Sequence, residues 1–444
     1  MKNVLVIGAG RSASSLIRYL LDHSESENWN VTVGDVSLEM AQQKAGGHAR
    51  ARAIAFDIHN TQQKHEEIQK ADLVISMLPA VLHLAVAKDC VRFKKHLVTA
   101  SYVSKDIAAL DAEAKSAGII LMNEIGLDPG IDHASAMKVI DHVKKSGGEV
   151  VAFRSYCGGL VAPECNDNPW GYKFTWNPRN VVLAGQGGDA QFIENGKLRS
   201  IPYEKLFLET ETVEVQGHGS FEAYANRDSL SYRQPYGLEN IPTMLRGTLR
   251  MPGYCKAWNA IIKLGLTYDS EKLEGSEKLT WRQLIEALNP DVRFGAAAYL
   301  GEEEDSEVMK KLEWLEIFSD REIDLVDASP AEILQQLLEE KWKLKANDHD
   351  MIVMQHEFEI KAKNEKEEKR KKIISALVVK GEDQIHTAMA KTVGLPAAIT
   401  SKLILQGKIK ARGVVIPTIR EIYEPVLNEL ETYGIKFEER EVIV

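Results

Sequence analysis

Cysteine is scarce in this chain: four in 444 residues, at Cys90, Cys157, Cys165 and Cys255. None forms a Cys-x-x-Cys pair, so neither a zinc site nor a disulfide framework is expected, and no other residue pattern predicts a metal. So few cysteines fit a reducing, cytoplasmic compartment. Long apolar runs are also missing. None approaches the roughly 20 residues a membrane helix needs, and no membrane partner is expected. The chain opens directly on a core strand, which leaves no room for a signal peptide. A surplus of positive charge is absent as well. The 55 Lys and Arg stand against 65 Asp and Glu, for a formal net charge of −10, which argues against nucleic acid as a partner. No internal repeat is evident.

What is present is an ordinary globular composition, 44% hydrophobic and 27% charged, in a chain long enough for two or three domains. The most informative stretch is Val4-Leu5-Val6-Ile7-Gly8-Ala9-Gly10-Arg11-Ser12-Ala13. A β-branched and aliphatic run leads straight into a Gly-x-Gly-x-x-Ala turn. A helical segment follows, and an acidic residue, Asp35, closes the next strand. These contexts together specify a dinucleotide-binding βαβ unit. Gly8 permits the tight turn, Gly10 lets the backbone approach a pyrophosphate, and Ala13 lets helix and strand pack closely. The helix start at Arg11 and Ser12 offers free N–H groups to the phosphates. Asp35 is placed to accept hydrogen bonds from the adenosine ribose and to repel a 2′-phosphate, and no Arg follows it. By that rule the coenzyme is NAD rather than NADP. Asp57, at the end of the third strand, is a further candidate near the adenine.

Strand-like segments at residues 4–7, 31–34, 52–56, 73–77, 97–100 and 119–123 alternate with helical ones, which predicts a doubly wound parallel sheet. Beyond Gly130 a helix is expected at 131–146, then a Gly- and aromatic-rich sheet with strands at 150–156, 181–183 and 212–215. Residues 256–345 read as mostly helical. A hairpin is expected from 351–361 and 373–380 around the mixed-charge run 361–372, which reads as a solvated loop. Residues 384–407 read as a helix broken at Gly394-Leu395-Pro396, and 418–433 as an amphipathic helix. The fold class is α/β: a Rossmann domain plus an α/β substrate domain with a helical insertion.

Candidate chemistry gathers at strand ends. Leu78 and Pro79, after the fourth strand, should open on the coenzyme, with Leu127 and Trp176 as further contacts. Ser101 and Tyr102 end the fifth strand, where a phenol can relay a proton. The densest stretch is Asn123-Glu124-Ile125-Gly126-Leu127-Asp128-Pro129-Gly130-Ile131-Asp132-His133. Asp128 is expected to point toward the ligand, with Asp132 a cap and His133 a secondary candidate. Cys157 precedes a Gly-Gly pair and is either a site thiol or a small buried residue. Arg227 and the Arg246-Gly247-Thr248 stretch suit a substrate with several carboxylates, because a guanidinium binds carboxylate bidentately.

These motifs, with Gly126 through His133, Tyr156-Cys157-Gly158-Gly159-Leu160, Asn168-Pro169-Trp170-Gly171-Tyr172-Lys173-Phe174, Asn226-Arg227-Asp228-Ser229 and Arg246-Gly247-Thr248-Leu249-Arg250, run in order along most of the chain. The chain resembles the saccharopine reductase family, the glutamate-forming saccharopine dehydrogenases. The resemblance implies a Rossmann domain over 1–130 completed by about 385–444. It implies a substrate and dimerisation domain over 131–255 and 346–384, and an insertion over 256–345. It also implies interconversion of saccharopine with L-glutamate and 2-aminoadipate 6-semialdehyde in lysine metabolism, with NAD or NADP as coenzyme. By the same resemblance Asp128, Tyr102 and Cys157 are the residues for proton handling. Ser101, Tyr102, Asp128, Arg227, Arg246, Gly247 and Thr248 are those for substrate. The fungal members use NADP, whereas Asp35 favours NAD. The expected partners are a small amino-acid substrate and a second copy of the chain. Two rival readings are a carboxynorspermidine-type dehydrogenase, disfavoured by the arginines, and a dinucleotide sensor without turnover, disfavoured by the polar loop at 128–133.

Overall fold

A computed structural model describes residues 1–361 and 370–443, without the side chain of Arg370. Most of the charged run expected as a solvated loop, residues 362–369, lies outside the described residues. The chain divides into two compact units. The first holds residues 1–149 and 377–438. The second holds 150–361, 370–376 and 439–443.

The first unit is built on a parallel sheet. Its strands are β1 (Lys2–Ile7), β2 (Trp29–Asp35), β3 (Ala51–Ala55), β4 (Leu73–Ser76), β5 (His96–Val98) and β6 (Ile120–Met122). A seventh strand, Gly413–Val415, joins beside β6, so the order runs from it through β6, β5, β4, β1 and β2 to β3. Val4, Leu5, Val6 and Ile7 are all buried, as continuous apolar strands of a sheet covered on both faces must be. In such a sheet ligands gather beyond the carboxyl ends of the strands.

Helix Ile131–Lys145, read from sequence as the start of the second domain, packs in this first unit against helix Arg420–Thr432. There Tyr423 donates to Asp141 at 2.5 Å. The break expected at Gly394-Leu395-Pro396 does not occur: Ala388–Leu405 is one helix with Pro396 inside it. It is long and apolar enough to cross a membrane, yet most of it is buried within the unit. It lies so close to helix Ser14–Asp22 that a methyl on Gly394 would come within 2.8 Å of the Leu16 nitrogen. Packing on both sides holds it helical past the proline.

The second unit has a nine-stranded sheet. Its strands are β7 (Glu149–Val161), β8 (Ala190–Glu194), β9 (Lys197–Ile201), β10 (Glu211–Val215), β11 (Gly219–Ala225), β12 (Thr243–Arg250), β13 (Asp350–Lys361), β14 (Arg370–Lys380) and Glu438–Ile443. The order is β10, β11, β12, β7, β13, β14 and Glu438–Ile443, with β8 pairing β12 and β9. The expected hairpin strands are therefore neighbours, but the sheet edge falls to Glu438–Ile443 rather than to them. The strand expected at 181–183 is instead helix Pro178–Val182. Asn177 accepts from the Arg179 N–H at 2.9 Å and Pro178 sets the first helical position, which outweighs the β-propensity of two valines. Residues 256–345 are largely helical, as expected. The stripe Ala331, Leu334, Leu337 and Leu338 is buried on helix Pro330–Lys341, which opens with a Ser329–Glu332 capping box.

Candidate active site

The Gly-rich turn joins β1 to the helical segment Arg11–Ala13 and on to Ser14–Asp22. A methyl on Gly8, at φ +103°, would meet the Met77 carbonyl oxygen at 2.9 Å, so the turn has no room for a side chain there. A methyl on Gly10 would meet nothing within 4 Å, so the backbone at that point stands open. No side chain caps the helix start, which leaves its leading N–H groups to an outside acceptor. Open backbone and uncapped donors together fit a pyrophosphate. Asp35, at the end of β2, accepts from Ala9 N at 2.7 Å through Oδ2 and from Ser37 N at 3.0 Å through Oδ1. Its carboxylate is thereby fixed beside the turn, with lone pairs left for ribose hydroxyls. Asp57 is exposed beyond β3 and accepts from His59 N at 2.9 Å. Leu78 is half-buried and Pro79 exposed, just past β4.

The loop after β6 is pinned from within. Gly126 N donates to Pro129 O and Ile131 N to Gly126 O, both at 2.9 Å, across a cis Asp128–Pro129 bond. Gly130 has φ +146°, and a methyl there would sit 2.1 Å from the Gly126 oxygen, so only glycine fits. Asp132 is buried in the first helical turn and accepts from Gly130 N at 2.6 Å; the N-cap position itself is Gly130, so Asp132 is not the cap the sequence suggests. His133 is fully buried, with Nε2 2.9 Å from Glu124 Oε2 and Nδ1 3.6 Å from Asp132 Oδ2. The other Glu124 oxygen accepts from Val103 N at 2.9 Å. This frame ties the loop to the end of β5 and leaves Asp128 half-buried, where it accepts from the Tyr102 hydroxyl at 3.1 Å. Leu127 is buried beneath it. Tyr102 itself is 49% exposed, as a residue that meets a ligand should be.

Under Ser101 lies His83, which the sequence reading passed over. It starts helix His83–Phe93 and is buried. Its Nδ1 is 2.8 Å from Ser76 Oγ, and its Nε2 is 2.7 Å from Ser101 Oγ and 3.2 Å from Thr99 Oγ1. Burial pulls its pKa down to about 4, so the ring is neutral at neutral pH.

In the second unit Cys157, Arg246, Gly247 and Thr248 sit inside strands, while Trp176 and Arg227 lie on connecting segments. Parallel pairing of β7 with β12 sets Cys157 opposite Thr248, Tyr156 opposite Gly247 and Ser155 opposite Arg246. Thr248 donates to Asn226 Oδ1 at 2.7 Å. A methyl on Gly247 would meet the Tyr224 oxygen at 3.0 Å. Arg246 is buried, its guanidinium 4.4 Å from the centre of the Tyr232 ring. Arg227 is exposed and donates to Gln186 O at 2.8 Å. Arg250 is buried among the rings of Tyr172, Tyr254 and Tyr224, at 5.1, 5.3 and 5.7 Å. Trp176 is half-buried, beside the buried Phe174 and Thr175. Among the described residues no cysteine forms a disulfide. Among the described residues no group of three or more His, Cys, Asp or Glu side chains is arranged to hold a metal.

The family model for the saccharopine dehydrogenase NADP binding domain matches residues 4–122, and that for the saccharopine dehydrogenase C-terminal domain matches 126–435. The chain belongs to the saccharopine dehydrogenase family. It is 36% identical over 452 residues to saccharopine dehydrogenase [NADP(+), L-glutamate-forming] of Pyricularia oryzae, covering 99% of both chains. The apo saccharopine dehydrogenase (L-Glu forming) of Saccharomyces cerevisiae has a solved structure that superposes with a TM-score of 0.89 at 34% identity, covering 100% of both. The chain is also 36% identical to the alpha-aminoadipic semialdehyde synthase of Arabidopsis thaliana, where it covers 98% of itself but 44% of that longer protein. Family membership and the close structural likeness account for the Rossmann unit joined to a second sheet-based unit.

Proposed function

We propose that this chain is an NAD(P)-dependent oxidoreductase acting on a CH–NH bond in lysine metabolism, interconverting saccharopine with L-glutamate and 2-aminoadipate 6-semialdehyde. The observation that carries the reading is the Tyr102–Asp128 pair, held at the ends of β5 and β6 in a chain alike over its whole length to an enzyme named for that reaction. Bound nicotinamide takes up or supplies the hydride. In the oxidative direction the secondary amine loses that hydride from carbon and a proton from nitrogen. Water then adds to the imine, which splits into amine and aldehyde. Each of these steps moves a proton near the reacting carbon. Asp128 and Tyr102 orient the reacting nitrogen and relay its proton. Arg227 and Arg246 bind substrate carboxylates, and Cys157 touches the substrate.

The relatives are named for NADP, while this chain's own residues favour NAD. Asp35 is anchored by two backbone N–H groups, and its followers Val36 and Ser37 carry no positive charge to meet a 2′-phosphate. The chain is further read as a cytoplasmic homodimer. The support is that no cysteine forms a disulfide among the described residues and that the exposed strand Glu438–Ile443 stands at the end of the second unit's sheet, where a second copy can add a strand. The test is to mix the purified protein with L-saccharopine and follow reduced nicotinamide, with NAD and NADP in parallel. Turnover is expected, and a preference for NAD would support the reading of Asp35. No reduction of either coenzyme would sink the reaction. A clear preference for NADP would overturn the reading of Asp35 and leave the reaction standing.

A further inference from the structure

We infer that His83 is a positioning residue that makes the Ser101 hydroxyl a hydrogen-bond donor toward the substrate. The group meeting Ser101 is then an acceptor, such as a carboxylate oxygen. This rests on the reading that the saccharopine reaction takes place beyond the carboxyl ends of the first unit's strands.

A neutral imidazole carries one N–H, and its other nitrogen accepts one hydrogen. Ser76 is 1% exposed, and among the described residues His83 Nδ1, at 2.8 Å, is the one acceptor its hydroxyl reaches. Thr99 is equally buried, and its oxygen already accepts from Ser101 N at 3.3 Å. If Nδ1 carried the hydrogen, Nε2 would have to accept. At 2.7 Å its donor would be Ser101. The hydroxyl hydrogens of both Ser76 and Thr99 would then be buried without acceptors.

If Nε2 carries the hydrogen, Ser76 donates to Nδ1 and Nε2–H donates to Ser101 Oγ. Only the Thr99 hydrogen lacks an acceptor. One buried orphan fewer favours this tautomer by about tenfold to a hundredfold. The low basicity of the buried ring excludes the doubly protonated form at neutral pH. Ser101 then accepts from His83 and has its own hydrogen left over. Its hydroxyl meets no other acceptor among the described residues. The side chain is half-buried, next to the exposed Tyr102. The hydrogen therefore points away from the core. The relay runs Ser76 to His83 to Ser101, and its last donor faces the ligand.

The test has two arms. In protein labelled with 15N-histidine, a long-range 1H–15N spectrum identifies the His83 ring by its loss in His83→Gln. At neutral pH, without substrate, it should show a protonated Nε2 and a bare Nδ1. A protonated Nδ1, alone or with Nε2, overturns the inference. The kinetic arm follows saccharopine oxidation. Ser101→Ala should raise KM for saccharopine about tenfold to a hundredfold. His83→Gln, whose amide can donate in place of Nε2–H, should stay within about threefold of wild type, and His83→Ala should lose about tenfold. The double variant His83→Ala/Ser101→Ala should be no worse than Ser101→Ala alone, because both remove one donor. Multiplying losses would overturn the positioning role. A wild type inactive on saccharopine would sink the proposed function instead, and the spectrum would still decide the tautomer.

Discussion

In the first unit the polar groups around Asp128 hang on loops that leave the ends of parallel strands; the loop after β6 is closed by backbone hydrogen bonds among residues 126–131, and Glu124 ties it to Val103 after β5. In the second unit Cys157, Arg246 and Thr248 lie inside paired strands, and their neighbours come from about 90 residues away along the chain. The first arrangement gives a loop whose shape depends on single atoms, such as the missing Cβ of Gly130. The second gives a wall whose shape depends on register, which many hydrogen bonds share. Under the proposed function, proton handling uses the former kind of placement and carboxylate binding the latter. A catalytic hydrogen bond is sensitive to displacements that a long, charged side chain can absorb.

Three substitutions can break or sharpen this contrast. The largest effect is expected from Asp128→Ala, which should lower kcat about 100- to 10,000-fold while coenzyme binding, read by fluorescence titration, stays nearly unchanged. Unchanged turnover would remove Asp128 from the chemistry. Next is Gly130→Ala, which forces an alanine to φ +146° against the Gly126 oxygen. It should lower stability by about 3 kcal/mol, visible as a drop in Tm or in the denaturation midpoint. A wild-type midpoint would mean the loop is not pinned at that atom. The smallest is Arg227→Ala in the second unit, which should raise KM for saccharopine about tenfold with kcat within about twofold. A fall in kcat with KM unchanged would contradict the division of labour.

Legibility from sequence followed the same divide. The turn from Gly8 to Ala13 and the loop from Glu124 to His133 are contiguous, so their geometry is written in neighbouring residues. Tyr102 at the end of the fifth strand could be read locally. His83 could not, because its role depends on three hydroxyls from Ser76, Thr99 and Ser101 at the ends of two strands, and an isolated histidine gives no sign of them. In the second unit, the opposition of Cys157 and Thr248 needs the pairing of β7 with β12, which no local pattern encodes. The helix at 178–182 was misread because Val181 and Val182 favour strands, while the stronger instruction lay just upstream in Asn177-Pro178. The unbroken helix through Pro396 was misread because packing against Leu16 is a long-range fact.

That last contact bears on how the chain comes off the ribosome. Strands β1 to β6 belong to the first 122 residues, but the helix that closes on Leu16 begins at Ala388 and the seventh strand at Gly413. At ordinary rates of synthesis the opening half of the unit waits roughly 13 to 53 seconds for its closing half. During that time the apolar flank of helix Ser14–Asp22 and the edge of β6 have no native cover. The coenzyme-binding half is therefore made first and finished last.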